Sequence, residues 1–355
     1  MALRSIGLAS HIYNNNIKSV LLLMGFPALL LFMIWAFFTG LHLAGVESLG
    51  MVGRESLEPD IMGSMSEGYK SALAYGHWAI IVALIWFTIS FFFHTKMMQM
   101  ATGAVPVTRK EYPKIYNMLE NLCISRGLQM PSFMIIDSPA MNAFASGINE
   151  KTYAITLTRG IVEALEDDEL EAVIGHELSH IMNKDVRLLI ISVVFVGMIS
   201  LMAEMLFRML VHRPRYGGRS SNNNKGQGAI MLIALAVLII GYIFAIFIRF
   251  ALSRKREFLA DAGSVELTKN PQAMMRALLR ISGHDEVSDM PSEVQQMCIE
   301  NSHNFFGVFA THPPISKRVK TLSEMTGEPI PTLAVTLRRP PKRPWDNNKP
   351  PENAG

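Results

Sequence analysis

The residues of this chain best placed to do chemistry are His176, Glu177 and His180, in the run Gly175-His176-Glu177-Leu178-Ser179-His180. They follow Asp167-Asp168-Glu169-Leu170-Glu171-Ala172-Val173-Ile174, a stretch that is acidic at its start and favours helix. Residues four apart share a helix face, so two imidazoles can close on one ion while Glu177 stands one step round from the first. That is a two-histidine zinc clamp with a carboxylate beside it. Zinc held there would polarise a scissile carbonyl and acidify a water, whose proton Glu177 could take and pass to the leaving amine.

A catalytic zinc wants a third protein ligand and an open fourth position. Downstream, Ser253-Arg254-Lys255-Arg256-Glu257-Phe258-Leu259-Ala260-Asp261 offers two carboxylates four residues apart. That spacing lets one reach the metal while the other accepts a hydrogen bond from the ring N–H of a ligating histidine. An ordinary solvated helix face would carry the same charges. Beside the first motif the ligand reading is the stronger, and it favours Glu257 over Glu266, because only Glu257 has a carboxylate one turn later, at Asp261.

The elements that must position these groups are those of a membrane protein. Half of the 355 residues are hydrophobic, only 18% are charged, and the mean hydropathy is positive. The net charge of +3 with no aromatic-basic interleaving gives no case for nucleic acid. The cysteines, Cys123 and Cys298, stand far apart in no metal-type spacing, so neither a disulfide framework nor a cysteine zinc site is indicated. Uncharged runs cover Ser19 to Val46 and Ser71 to Thr95, and Arg4 and Lys18 ahead of the first favour a cytoplasmic amino terminus. The acidic segment from Glu47 to Lys70 suits the opposite side. A third run, Leu188 to Ala203, extends to Val211 if Glu204 and Arg208 pair, and a fourth covers Gly226 to Ile248. Because His180 precedes this second pair of runs and Glu257 follows it, both runs must cross or neither does. Crossing is the reading adopted, although the loop between them, with Arg213, Arg215, Arg219 and Lys225, is basic.

The polar parts read as one domain in two pieces. Ile115, Met118, Leu119 and Leu122 mark a helix within 109–126, and the helix carrying His176 and His180 is expected to lead directly into the third hydrophobic stretch. Phe133 to Asp137 and Tyr153 to Leu157 read as short buried strands, with Met141 to Gly147 an exposed edge strand or a loop between them. An exposed edge in a peptidase can hold substrate as an added strand, and a solvated hairpin fits the same residues. Pro271 to Ile281 and Ile315 to Leu322 read as helices, and His312 precedes a proline pair in Thr311-His312-Pro313-Pro314. From Pro340 the tail is basic and rich in proline, with too few apolar residues to pack.

In their order, the two amino-terminal runs, Asn142-Ala143-Phe144-Ala145, His176 to His180, the hydrophobic pair, Glu257 to Asp261, and Thr311-His312-Pro313-Pro314 to Arg318 resemble the HtpX family of membrane zinc metalloproteases, over roughly Asn16 to Thr326. The resemblance implies an α-helical membrane protein with about four transmembrane helices and a mainly α (α+β) zincin-like metalloprotease domain in the cytoplasm. It implies one zinc ion per chain on His176, His180 and Glu257, with Glu177 as catalytic base and Asp261 behind the ligands. It places Asn142, with Ala143 and Phe144, at the substrate cleft, and His312 and Arg318 in a late motif near the metal, where His312 could stabilise the transition state. The implied activity is cleavage of misfolded or damaged membrane proteins at the cytoplasmic face of the cell membrane, so the partners are polypeptides and the bilayer; the oligomeric state is left open. The expected divisions are two transmembrane helices with an acidic loop (1–98), the first part of the catalytic domain (99–185), the hydrophobic pair (186–252), the second part (253–330) and the tail (331–355).

Two rival readings carry different expectations. A proteolytically inactive zinc-binding scaffold would have no use for Glu177 and would close the fourth position on the metal. A transporter would need several polar residues inside its spans, and the sequence supplies only Glu204 and Arg208 for that purpose.

Overall fold

A computed structural model describes residues 2–43, 61–211, 232–243, 255–282 and 313–332. Its elements are α1 (Ala2–Leu43), α2 (Ile61–Thr102), β1 (Val105–Pro106), α3 (Pro113–Ile124), β2 (Ser132–Ile136), β3 (Ala143–Ser146), β4 (Ala154–Thr158), α4 (Arg159–Ala164), α5 (Asp167–Met182), α6 (Asp185–Val211), α7 (Leu232–Ile243), α8 (Lys255–Thr268), α9 (Pro271–Ile281) and α10 (Ile315–Thr326). The chain divides into two units, one made of 1–94 and 187–252, the other of 95–186 and 253–355. His312, the basic loop at 213–225 and the tail from 340 lie outside the described residues, as does the side chain of Glu204 in the expected pair with Arg208.

The first unit is helical. Two of its helices contain stretches long and apolar enough to cross a membrane, Met24–Leu43 and Ile61–Thr102, while the described part of α7 is shorter. Its core draws Phe26, Leu30 and Met33 from α1, Ala83 from α2 and Ile191, Phe195 and Ile199 from α6, with Val237 and Leu238 of α7 packed against them. Phe26 stacks on Phe195 with ring centroids 4.3 Å apart. Helix α2 begins about three turns before the apolar run does. The reason is its inner face: Ser64 meets His42 Nδ1 at 2.9 Å, and Trp35 Nε1 donates to the Met65 carbonyl at 3.2 Å, so α1 holds this extension in place. His94, near the end of the same apolar run, is buried, an ionisable side chain that the sequence comparison with a transporter passed over.

The second unit sets a four-stranded sheet against helices. The strand order is β1-β2-β4-β3, with β2 and β4 parallel and the two outer pairs antiparallel. Ile155 and Leu157 are fully buried, as the apolar runs predict. The expected helix in 109–126 starts only at Pro113, because Pro fits the first turn of a helix and Thr108 and Glu111 form a turn ahead of it. The strand at 143–146 does stand last in the sheet, but its residues are at most 4% exposed, so the exposed edge expected there is covered.

Helix α5 does not run on into α6. It stops at Met182, and Lys184 takes a left-handed backbone (φ 59) before α6 begins at Asp185. At its other end the Glu169 carboxylate accepts from the backbone N–H of Glu166 (3.0 Å) and from Nε of Arg276 (3.2 Å) and Arg280 (2.9 Å) on α9. Glu169 is wholly buried, so these two guanidiniums compensate its charge and fix the start of α5 against α9.

Candidate metal centre

Helices α5 and α8 approach closely because small residues line their contact. Ser264 Oγ donates to the Ala172 carbonyl at 2.5 Å, and Gly175 faces Ser264. Gly263 lies against Ser179: a Cβ there would run into Ser179 Oγ and come within 2.8 Å of its Cβ. This close packing carries Glu257, one turn and a half before Gly263 on α8, to the histidines of α5. The sequence singles out these three side chains but not the contacts that bring them together, whose signal is only a glycine and a serine inside a helical run.

The three side chains converge. His176 Nε2 and His180 Nε2 are 3.2 Å apart, and Glu257 Oε2 lies 3.7 Å from the first and 3.8 Å from the second. The point equidistant from these atoms is about 2.1 Å from each, which is the length of zinc–nitrogen and zinc–carboxylate bonds. Arg256 Nε holds the other Glu257 oxygen at 3.2 Å, which leaves Oε2 turned to the imidazoles.

Behind the three side chains stands a layer of carboxylates and a guanidinium. His176 Nδ1 is 3.0 Å from Asp261 Oδ1, and Asp261 is gripped by Arg318, with Nε at 2.9 Å and Nη2 at 2.6 Å. Arg318, on α10, is completely buried. It pairs with the carboxylate that lies beside His176. His180 Nδ1 lies 3.1 Å from Asp185 Oδ2, a carboxylate that the sequence reading did not single out. Glu266 is engaged elsewhere, in an exposed ion pair with Arg126 at 2.8 Å.

The charges favour a cation. Among the described residues the site gathers four buried carboxylates, Glu177, Asp185, Glu257 and Asp261, against two buried guanidiniums, Arg256 and Arg318. A divalent ion balances that excess, and buried charges need such compensation. Burial disfavours a charged His180, but Glu257 and Asp185 outweigh it and push its pKa up to about 10, a measure of how strongly the pocket draws positive charge. Burial also raises the Glu177 carboxyl above the ordinary carboxylate range, with the two imidazoles acting against it. Burial would raise Asp261 as well, yet the charge and hydrogen bonds of Arg318 hold it below the usual range, which suits an acceptor for the His176 ring N–H.

Asn142 and Phe144 are 3% exposed and Ala143 is 1% exposed. Thr158 Oγ1 anchors this stretch, donating its one hydrogen to the Ala140 carbonyl at 2.6 Å and accepting from the Asn142 N–H at 2.9 Å, and β3 packs beside α5.

Two imidazoles from one helix turn, a carboxylate from a second helix and a buried glutamate beside them define the class as a metallopeptidase of the His-Glu-x-x-His type. The comparisons carry this to a family. Residues 109–326 match the model described as Peptidase family M48. A protease HtpX homolog from Bacteroides fragilis is 41% identical over 330 residues, covering 90% of this chain and 99% of its own. One from Listeria monocytogenes is 38% identical over 259 residues, covering 70% and 85%. The crystal structure of Ste24p from S. mikatae aligns with a TM-score of 0.43 at 22% identity, over 70% of this chain and 58% of that one. The chain belongs to peptidase family M48 and to the HtpX family, and it is a membrane metalloprotease.

Proposed function

We propose that this protein is a zinc endopeptidase that cleaves misfolded or damaged membrane proteins at the cytoplasmic face of the cell membrane. The observation that carries the reading is the triangle of His176 Nε2, His180 Nε2 and Glu257 Oε2, sized for one zinc ion, with Glu177 buried next to the first ligand. Zinc bound there supplies Lewis acidity for the scissile carbonyl. Glu177 takes a proton from the attacking water and gives it to the departing amine, so no covalent enzyme intermediate is needed. Asp261 keeps His176 in the tautomer that leaves Nε2 free, and Arg318 holds Asp261. His312 is assigned by the family resemblance to the stabilisation of the oxyanion. Substrate lies along Asn142, Ala143 and Phe144 as an added strand, which requires the covered edge of β3 to be opened first.

Removal of the metal tests the reading directly. A strong chelator should abolish cleavage of an unfolded membrane protein by the purified enzyme, and added zinc should restore it. Cleavage that continues at full rate in a protein verified free of metal would refute the assignment.

We further propose four transmembrane helices in the order α1, α2, α6 and α7, with 1–98, 99–185, 186–252, 253–330 and 331–355 as the functional divisions. The shared apolar core of these four helices supports it. Segments 99–185 and 253–355 then lie in the cytoplasm, and 47–70 and 213–225 outside. Single cysteines labelled with a membrane-impermeant reagent should react from outside intact cells in 54–70 and 213–225 only. Reaction in 213–225 only after the membrane is opened would mean that the second helix pair does not cross.

A further inference from the structure

We infer that Asp185 is the positioning residue for His180, and that it ties the start of the apolar helix α6 to the metal site. The inference rests on the metal-site reading above and extends it to a residue outside the ligand set. Asp185 Oδ2 is 3.1 Å from His180 Nδ1, and the carboxylate is 1% exposed. With Nδ1–H donating to Asp185, the ring is held in the tautomer that leaves Nε2 bare, and Nε2 is the atom that faces His176 and Glu257. His176 Nδ1 also lies near a carboxylate, 3.0 Å from Asp261 Oδ1, but without the geometry of a hydrogen bond. The two histidines thus stand beside carboxylates that arrive from different helices, Asp261 on α8 and Asp185 as the first residue of α6.

The backbone between α5 and α6 is shaped for this contact. The Asn183 N–H closes on the Ser179 carbonyl at 2.9 Å and the Lys184 N–H on that of Ile181 at 3.1 Å, which ends α5 within one turn of His180. Lys184 then adopts the left-handed conformation that a side chain with a Cβ takes only against resistance, and the next residue meets the imidazole. A helix continued straight through this point would place residue 185 five positions from His180, off the shared face that residues three and four apart occupy. The turn is what brings Asp185 to the ring. An acidic residue at a helix start is also favourable for the helix itself, and that role would make no demand on His180.

The two roles separate in a metal titration of the full-length protein in detergent, with Zn2+ competed against a chelator and Co2+ as the spectroscopic probe. Asp185→Ala should bind Zn2+ about 10- to 100-fold more weakly and alter the Co2+ visible absorption. Asp185→Asn keeps an acceptor oxygen and should recover the Co2+ spectrum and most of the affinity. Asp185→Ser preserves a favourable helix start but is too short to reach the ring, so it should behave like the alanine form, and it decides the matter if the alanine form does not fold. Lys184→Gly, which needs no strained backbone, should match the parent. Parent-like Zn2+ affinity and spectrum in Asp185→Ser would overturn the inference. Undiminished Zn2+ binding in His176→Ala would instead remove the metal-site reading, and the inference with it.

Discussion

Replacing Glu177 by glutamine should leave the metal in place and lower peptide hydrolysis by about a hundred- to ten-thousand-fold. Glutamine has the size of glutamate, so the packing around this buried position is kept. The metal-facing atoms of His176, His180 and Glu257 are untouched, as are the carboxylates behind the histidines. What is lost is an atom able to take a proton from water. An amide cannot do so, and among the described residues the other buried carboxylates of the site are already committed: Glu257 to the ligand triangle and Arg256, Asp261 to Arg318, Asp185 to His180. Zinc content by mass spectrometry and cleavage of an unfolded membrane protein, measured on the same preparation, give the two halves of the result. Full turnover by a metal-loaded Glu177→Gln protein would sink the assignment of the base. A parent protein that carries zinc but cleaves nothing would favour the inactive scaffold.

What could be read from the sequence was local chemistry. The pairs His176 and His180, and Glu257 and Asp261, were legible because a helix repeats every 3.6 residues and places positions four apart side by side. The helix over Pro271–Ile281 was legible for the same reason, with a proline at its first turn and a clear apolar face. Contacts made by tertiary packing were not legible. Nothing in the spacing of Arg318 and Asp261 announces a buried ion pair, and nothing in Gly263 announces its contact with Ser179. Asp185 escaped because helix periodicity puts position 185 off the face of His180, and only the left-handed Lys184 undoes that. The residues from Met141 to Gly147 fit an edge strand or a loop equally, and the small and apolar residues of the strand at 143–146 carry no sign that its edge is covered.

Glu257→Ala should purify with little or no zinc, while Glu266→Ala should hold as much as the parent. The two residues lie on the same helix, so the contrast tests geometry and not helix stability. Glu257 Oε2 is the vertex that completes the triangle, and without it two imidazoles from one helix face remain, short of the three protein ligands of a catalytic zinc site. The Glu266 carboxylate is half exposed and pairs with Arg126, an interaction worth at most about 1 kcal/mol to the fold and nothing to the metal. Asp261→Ala falls between them. It leaves all three ligands but takes the brace from His176 and strands the fully buried Arg318 without its carboxylate, so zinc should bind about 10- to 100-fold more weakly. Breaking a buried pair in this way also costs about 3–5 kcal/mol of stability, so Asp261→Asn, which retains acceptor oxygen for both partners, should recover part of the loss. Metal analysis of the four proteins, matched for helix content and detergent, checks the order. Full occupancy in Glu257→Ala together with loss in Glu266→Ala would move the third ligand one helix face away, and the triangle would then have no bearing on the metal.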